Sequence, residues 1–194
     1  MNHFIAFAFI AIGFLAAPSG AGDKKKEAGA PPAVERGPEH KLLESFVGTW
    51  DAKVKYYINP AKPLESSGVM TRTMILDGNY LQESFKGEFV GKSFAGLAII
   101  GYDYNKDKFM TTWCDSMSTS MRITRGRYDA KKKAIVSIGE EFEPNSKKMM
   151  KVRDVLKIIS ADEQVLEMYG LPDGAEKEFK MMEVHYTRRK PAKN

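Results

Sequence analysis

Between residues 50 and 56 the chain alternates apolar and charged side chains. Trp50, Ala52, Val54 and Tyr56 are separated by single charged residues. Successive side chains of a β-strand point to opposite faces, so this period of two predicts a strand with one buried face. Similar segments continue to residue 188, separated by short turns rich in Gly, Pro, Asn and Asp. They predict an all-β domain of about ten antiparallel strands, connected in sequence order without intervening helices.

The number of strands favours a closed barrel. An open meander would leave two exposed edges, which pair readily with other chains, and joining the first strand to the last removes both. We therefore expect an up-and-down antiparallel barrel, with a β-sandwich as the alternative. In the barrel Arg188 meets Trp50, and we predict that the two form a structural clasp by stacking. A barrel of about ten strands is not filled completely by its side chains, so the fold implies an internal cavity.

A short helical segment precedes the first strand. Leu42, Leu43 and Phe46 have helical spacing, and Gly48 is the residue type usually found just after a helix end. This pattern predicts a helical turn over residues 40–47. A helix this short needs a packing partner, and we expect it to close one end of the barrel.

The amino-terminal region predicts export. Residues 4–17 form an apolar run that is too short to span a bilayer comfortably, and small residues follow it. We predict a signal peptide over residues 1–21, cleaved near Ala21, and a secreted or periplasmic protein. The alternative is an uncleaved membrane anchor, because His3 is the only side chain that could add charge before the run. Residues 22–38 are predicted to be a disordered linker, followed by the barrel domain (39–190) and a tail (191–194).

Five side chains are candidates for binding a ligand inside the barrel. Tyr56, Tyr102, Trp113 and Met121 are predicted to line the pocket, with Met121 on a strand covering residues 117–128. Asp115 shares the inward face with Trp113 and would fix the polar end of a ligand.

Asp115 has two possible environments. A carboxylate inside a barrel needs a partner, and Arg72 or Arg125 could supply the charge. Alternatively, Asp115 caps its own turn through Ser116. An ion-paired Asp115 would also allow an enzyme of unknown reaction, with a neighbouring Arg or Tyr.

Other patterns in the chain limit the possible chemistry. The sequence contains none of the common hydrolase or phosphate-loop motifs, and its single cysteine, Cys114, excludes an intramolecular disulfide. Glu140, Glu141 and Glu143 lie near a predicted turn, and we interpret them as a solvated edge rather than catalytic acids.

The net charge and the histidines disfavour two further kinds of partner, nucleic acid and haem. The net charge is +5, but both signs are interspersed, which disfavours nucleic acid as a partner. His185 is predicted to point outwards, and His40 to be buried at the closed end of the barrel. Haem is therefore disfavoured, and we predict no cofactor.

Several short motifs resemble a known group of proteins. The motifs are Gly48-x-Trp50 after a helical turn, Trp113-x-Asp115-Ser116, and Tyr186-x-Arg188 in the last strand. They resemble the calycins, which include lipocalins, fatty-acid-binding proteins and nitrobindins. More closely, the chain resembles the domain of unknown function family fifteen-seventy-nine. This resemblance implies a barrel fold and export, and it carries no established activity.

The sequence thus favours an exported protein that binds a small, largely apolar ligand inside a barrel. Two alternatives stay open: an enzyme that uses Asp115, and a structural or interaction module of the cell envelope with a filled barrel. We expect no nucleic acid partner and no stable membrane insertion after signal cleavage. The oligomeric state is left open.

Overall fold

A computed structural model describes residues 36–143 and 146–190. One helix, α1, precedes ten strands in this part of the chain. The elements are α1 (Pro38–Glu44), β1 (Gly48–Tyr56), β2 (Leu64–Ile75), β3 (Tyr80–Phe89), β4 (Lys92–Asp103), β5 (Lys108–Asp115), β6 (Arg122–Asp129), β7 (Ala134–Glu143), β8 (Lys148–Ile158), β9 (Glu163–Leu171) and β10 (Phe179–Arg188). The predicted signal peptide, most of the predicted linker and the tail lie outside the described residues.

The strands form a closed antiparallel barrel in which each strand pairs with its neighbours in sequence. β1 closes the sheet against β10, and Trp50 lies directly opposite Arg188 in that register. The predicted up-and-down barrel of about ten strands, with a short amino-terminal helix, is confirmed. The closed order of strands is also incompatible with the alternative β-sandwich.

Two predicted elements differ from the observed ones. The helix ends at Glu44, before the predicted residue 47, and residues 116–121 form a loop, so that β6 begins only at Arg122. In this loop the Met117 amide donates to the Asp115 carboxylate, and the Ser120 amide donates to the Ser118 hydroxyl. Short polar side chains thus satisfy backbone groups that a strand would pair, which favours the loop.

One end of the barrel, which we call the floor, is covered by α1. Leu43 and Phe46 are at most 1% exposed and pack against Leu81, Ile100 and Phe109 from three strands. The helix also contacts β2, β3 and β4. At the opposite end, which we call the mouth, the connections that include residues 57–63, 116–121 and 172–178 leave the strands.

Trp50 and Arg188 connect the first strand, the last strand and the helix at the floor. The Trp50 side chain is fully buried, and its indole N–H donates to the Phe46 carbonyl at 2.9 Å. The Arg188 guanidinium carbon lies 4.0 Å from the centre of the indole. The same guanidinium donates to the carbonyls of Ser45 and Val47, which follow the helix. Arg188 therefore satisfies carbonyl groups that the end of a helix leaves unpaired.

Candidate functional site

The inward faces of the strands enclose a cavity of about 870 Å³. Its volume lies within the range usual for small-molecule sites, roughly 300–1,000 Å³. Most of the wall is apolar or aromatic. Representative lining side chains are Val54, Met70, Phe85, Phe94, Ile100, Phe109, Leu156, Leu166, Met168 and Val184.

The cavity is bordered at the mouth by exposed apolar side chains. Met117, Met121, Phe142 and Met149 all line it, yet each is more than half exposed. These four residues, which we call the rim, connect the apolar interior with solvent. An apolar molecule that enters through the mouth therefore meets apolar surface from the start.

A buried arginine lies at the floor end of the cavity. Arg72 is 1% exposed, and its Nε donates to Glu83 Oε1 at 2.6 Å while Nη1 donates to Gln164 Oε1 at 2.7 Å. Its guanidinium also lies 4.8 Å from the Tyr186 ring and 5.1 Å from the Trp50 ring. We call Arg72, Glu83 and Gln164 the floor cluster. Glu83 neutralises the arginine, which is the condition for burying such a charge.

A second polar group, the wall cluster, lies on β6, β7 and β8. Arg122 Nη1 is 3.0 Å from Asp154 Oδ1, and Arg122 Nε is 3.9 Å from Glu141 Oε2. Burial raises the pKa of Asp154, although Arg122 opposes this effect. Burial also raises the pKa of Glu141; Arg122 lowers it, whereas Asp154 and Asp115 raise it further. One guanidinium is thus shared by two carboxylates in a partly desolvated place.

Asp115 lies at the mouth end of β5 and also lines the cavity. Its Oδ2 accepts a hydrogen bond from Trp113 Nε1 at 3.0 Å, and its Oδ1 accepts one from the Met117 amide at 2.9 Å. Neither suggested arginine is its partner. Arg72 pairs with Glu83 instead, and Arg125 is exposed on the outer face of β6.

The turn-capping alternative for Asp115 is the one observed, although the donor differs from the expected one. The amide of Met117 makes the bond, whereas the Ser116 hydroxyl accepts a hydrogen bond from the Ala95 amide at 3.1 Å. The carboxylate therefore holds the Trp113 ring and the start of the loop at once.

The structure places Tyr56, Trp113, Asp115 and Met121 in the cavity wall, with Met121 on the loop rather than on a strand. Tyr102 does not line the cavity, which corrects our prediction for this residue.

Tyr102 faces inwards near the floor, where its ring packs edge-on against Phe109 and Tyr104 at 5.0 Å. Its hydroxyl donates to Asp107, and this bond, together with burial, raises the pKa of Tyr102 to about 12. The hydrogen bond to the loop between β4 and β5 thus holds the side chain at the floor, outside the cavity wall.

The wall cluster was not among the residues predicted to form a site. Glu141 was assigned to a solvated edge, but it is only partly exposed and faces the cavity next to Arg122. A signal was present in the alternation. In β7, Glu141 has the same parity as the buried Ile135 and Ser137, and in β8, Asp154 has the same parity as the buried Val152.

Among the described residues, His40, His185 and Cys114 lie away from the cavity wall. His40 is a buried residue of α1, with Nδ1 3.1 Å from the Tyr104 hydroxyl, and His185 is exposed, with Nε2 2.8 Å from Glu183. Cys114 is a free thiol. Within residues 36–143 and 146–190, no group of three or more His, Cys, Asp or Glu side chains is arranged to hold a metal ion. The same ranges contain no helix that is long and apolar enough to cross a membrane.

Two solved structures share this fold. The S-type phycobiliprotein lyase CPES from Guillardia theta is similar with a TM-score of 0.53 and 10% identity, covering 80% of this chain and 95% of that one. Rv2717c from M. tuberculosis is similar with a TM-score of 0.57 and 12% identity, covering 80% and 100%. At such identities the likeness concerns the fold alone.

Comparison at the level of sequence gives a family. No curated protein matches the chain. The model of a family described as protein of unknown function (DUF1579) matches residues 35–188, which include the helix and all ten strands. The chain therefore belongs to the DUF1579 family.

Proposed function

We propose that this protein binds a small, largely apolar molecule inside its barrel. The cavity of about 870 Å³, with its apolar wall and open mouth, is the observation that carries this proposal. Protein interiors are normally packed about as densely as organic crystals. A space of this size therefore needs a reason, and occupation by a ligand supplies one.

The polar groups in the wall support binding of a molecule with one polar end. Ligand sites are commonly apolar with a few well-placed polar groups that orient the ligand. The floor cluster and the wall cluster provide such groups at different depths. Fixed ion pairs hold the side chains of both clusters in place before any ligand arrives, which lowers the entropy cost of binding.

The two alternative functions have less support. A filled barrel disagrees with the observed cavity. An enzyme based on Asp115 requires a carboxylate free to act, whereas both of its oxygens accept hydrogen bonds that hold Trp113 and Met117. The solved lyase with the same fold shows that this architecture is compatible with activity, but it transfers no reaction to this chain.

We propose that the protein acts outside the cytoplasm. The apolar run over residues 4–17 and the small residues up to Ala21 are the basis, with an amino-terminal membrane anchor as the alternative. Amino-terminal sequencing of the protein from its source cells tests this point. A mature chain that begins near residue 22 supports export by cleavage, and an intact amino terminus in a membrane fraction supports the anchor.

Binding is tested by titration with Nile red, a neutral apolar dye. We expect saturable binding to one site, with the blue-shifted emission of an apolar environment. Ala98 is 1% exposed and lines the cavity, so Ala98→Phe should fill part of the space and weaken binding about tenfold or more. Ala95→Phe, on the outward face of the same strand, is the matched control. Equal binding by both variants, or none by the native protein, would contradict the proposal.

A further inference from the structure

The charged side chains inside the cavity are not balanced. Two arginines and five carboxylates line it. One of the carboxylates, Glu140, is exposed at an outward position of β7. The two arginines and the other four carboxylates occupy inward-facing positions, which leaves an excess of two negative charges when all are ionised. They are Arg72, Arg122, Glu83, Asp115, Glu141 and Asp154. The sign of this excess bears on which molecules the site can accept.

The excess is located in the half of the cavity nearer the mouth. At the floor, Arg72 and Glu83 form a neutral pair at 2.6 Å. In the wall cluster, Arg122 lies nearer to Asp154, at 3.0 Å, than to Glu141, at 3.9 Å. Within the described ranges Asp115 makes hydrogen bonds but no ion pair. Among the inward-facing carboxylates, Glu141 and Asp115 therefore have the least compensation.

Aromatic rings lie beside Asp115. The Trp113 indole is held by Asp115 itself, and Tyr56 lines the same part of the wall. Burial raises the pKa of Tyr56, and the negative charge of Asp115 raises it further. A cation near such rings gains from their negative faces as well as from the carboxylates.

We infer that the ligand is an amphiphilic amine, whose positively charged nitrogen lies between Glu141 and Asp115 while its apolar part occupies the cavity. This inference rests on the proposed function and names the ligand class for the same site. A cation compensates the two carboxylates, whereas an acid of the fatty-acid type would bring a third negative charge to a partly desolvated place. A neutral alcohol would bind through its apolar part alone.

The burial effect on Glu141 is consistent with this arrangement. Burial raises the pKa of Glu141, and the charge of Arg122 only partly opposes this effect. A bound ammonium group supplies the missing charge.

The experiment compares three molecules with the same ten-carbon chain: decylamine, decanol and decanoate. The measurement is the displacement of Nile red from the full-length protein near neutral pH. Each decyl compound is used below its own critical micelle concentration. We expect decylamine to bind about tenfold or more tightly than decanoate, with decanol between them. Tighter binding of decanoate than of decylamine would overturn the inference.

Charge-removing variants locate the effect. Glu141→Gln keeps the shape of the side chain, and we expect it to lower the ratio of decylamine to decanol affinity about tenfold. Glu88→Gln, an exposed residue outside this cavity, makes the same charge change and should leave the ratio unchanged. If Glu141→Gln does not fold, Asp115→Asn provides the second variant. An unchanged ratio in the folded variant would overturn the inference.

The outcomes separate the inference from the proposed function. If Nile red binds in the cavity but decylamine shows no advantage, or no decyl compound displaces the dye, the barrel is a binding protein and the inference about amines is wrong. If neither Nile red nor any decyl compound binds, both fail.

Discussion

Arg188 stacks on Trp50 at 4.0 Å and at the same time donates to the carbonyls of Ser45 and Val47. One side chain from the last strand thus joins the first strand and the end of α1. Trp50 and Arg188 are 138 positions apart in the sequence. Their contact fixes the closure of the barrel at the same place as its covering helix.

Replacing Arg188 with Met should destabilise the barrel by about 1–3 kcal/mol, because the cation–π contact, three hydrogen bonds to backbone carbonyls and the ion pair with Asp162 are lost together. The measurement is the free energy of unfolding in urea. Arg189→Met is the matched control, since Arg189 forms an exposed pair with Asp51, and such pairs contribute little. Equal effects of the two substitutions would show that Arg188 has no special role.

In the floor cluster, removing the charge of Arg72 alone should lower the unfolding free energy more than removing the charges of Arg72 and Glu83 together. Arg72→Met leaves Glu83 buried without its cation, and we expect a loss of about 3–5 kcal/mol in unfolding free energy. The double variant with Glu83→Gln should recover a large part of this loss. A double-mutant cycle on unfolding free energies tests the coupling, and simple additivity of the two substitutions would contradict it.

Acid should weaken the native state partly through Glu167 on the outer surface of the barrel. Partial burial raises the pKa of this carboxyl, but hydrogen bonds from Lys157 and Lys180 and the charge of Lys180 outweigh burial and lower the pKa to about 2. Because the pKa in the native state is below the ordinary glutamate value of 4.5, the carboxylate stabilises the fold above that value and loses its contribution as the pH falls towards 2.

The corresponding measurement is the unfolding free energy as a function of pH. We expect Glu167→Gln to be less stable than the native protein near neutral pH and to show a flatter decline between pH 4.5 and 2. Glu163→Gln, an exposed residue on the same strand, is the control. Identical pH profiles for the native protein and Glu167→Gln would rule out this role.

Gly96 should control the position of the Trp113 ring. A Cβ atom at residue 96 would lie 2.3 Å from two atoms of the indole, so Gly96→Ala must displace the ring. We expect loss of the hydrogen bond to Asp115 and about tenfold weaker binding of Nile red, since the ring forms part of the cavity wall.

Acrylamide quenching of Trp113 fluorescence in the Gly96→Ala variant reports the displacement, with circular dichroism to check the fold. Gly91→Ala is the control for adding a Cβ atom that clashes with nothing. Gly91 lies in a turn at the mouth, where such an atom has no neighbour within 4 Å, and its φ of +72° strains only the local backbone. Unchanged quenching and unchanged dye binding in Gly96→Ala would contradict the assignment of Trp113 to the wall.

Local sequence patterns were sufficient to predict which face of a strand is buried. Alternation in 50–56 predicts an inward face shared by Trp50 and Val54, and both are buried. Asp115 was also predicted to face inwards. The hydrogen-bond donors to Asp115 were not predicted, because Trp113 Nε1 and the Met117 amide become available only when the chain leaves the strand at residue 116.

By itself the sequence determined the class of fold, the order of strands and the meeting of the first strand with the last, because side-chain periodicity and the cost of open edges act on every strand in the same way. Only the tertiary structure decided which charges compensate each other inside the barrel. Arg122 and Asp154 are 32 positions apart, and the neutral Gln164, which accepts a hydrogen bond from the buried Arg72, is 92 positions away from it. Such pairs form because closure brings distant strands round one desolvated space, where an uncompensated charge is costly. The balance of charge in the cavity, and therefore the class of ligand it favours, follows from that closure.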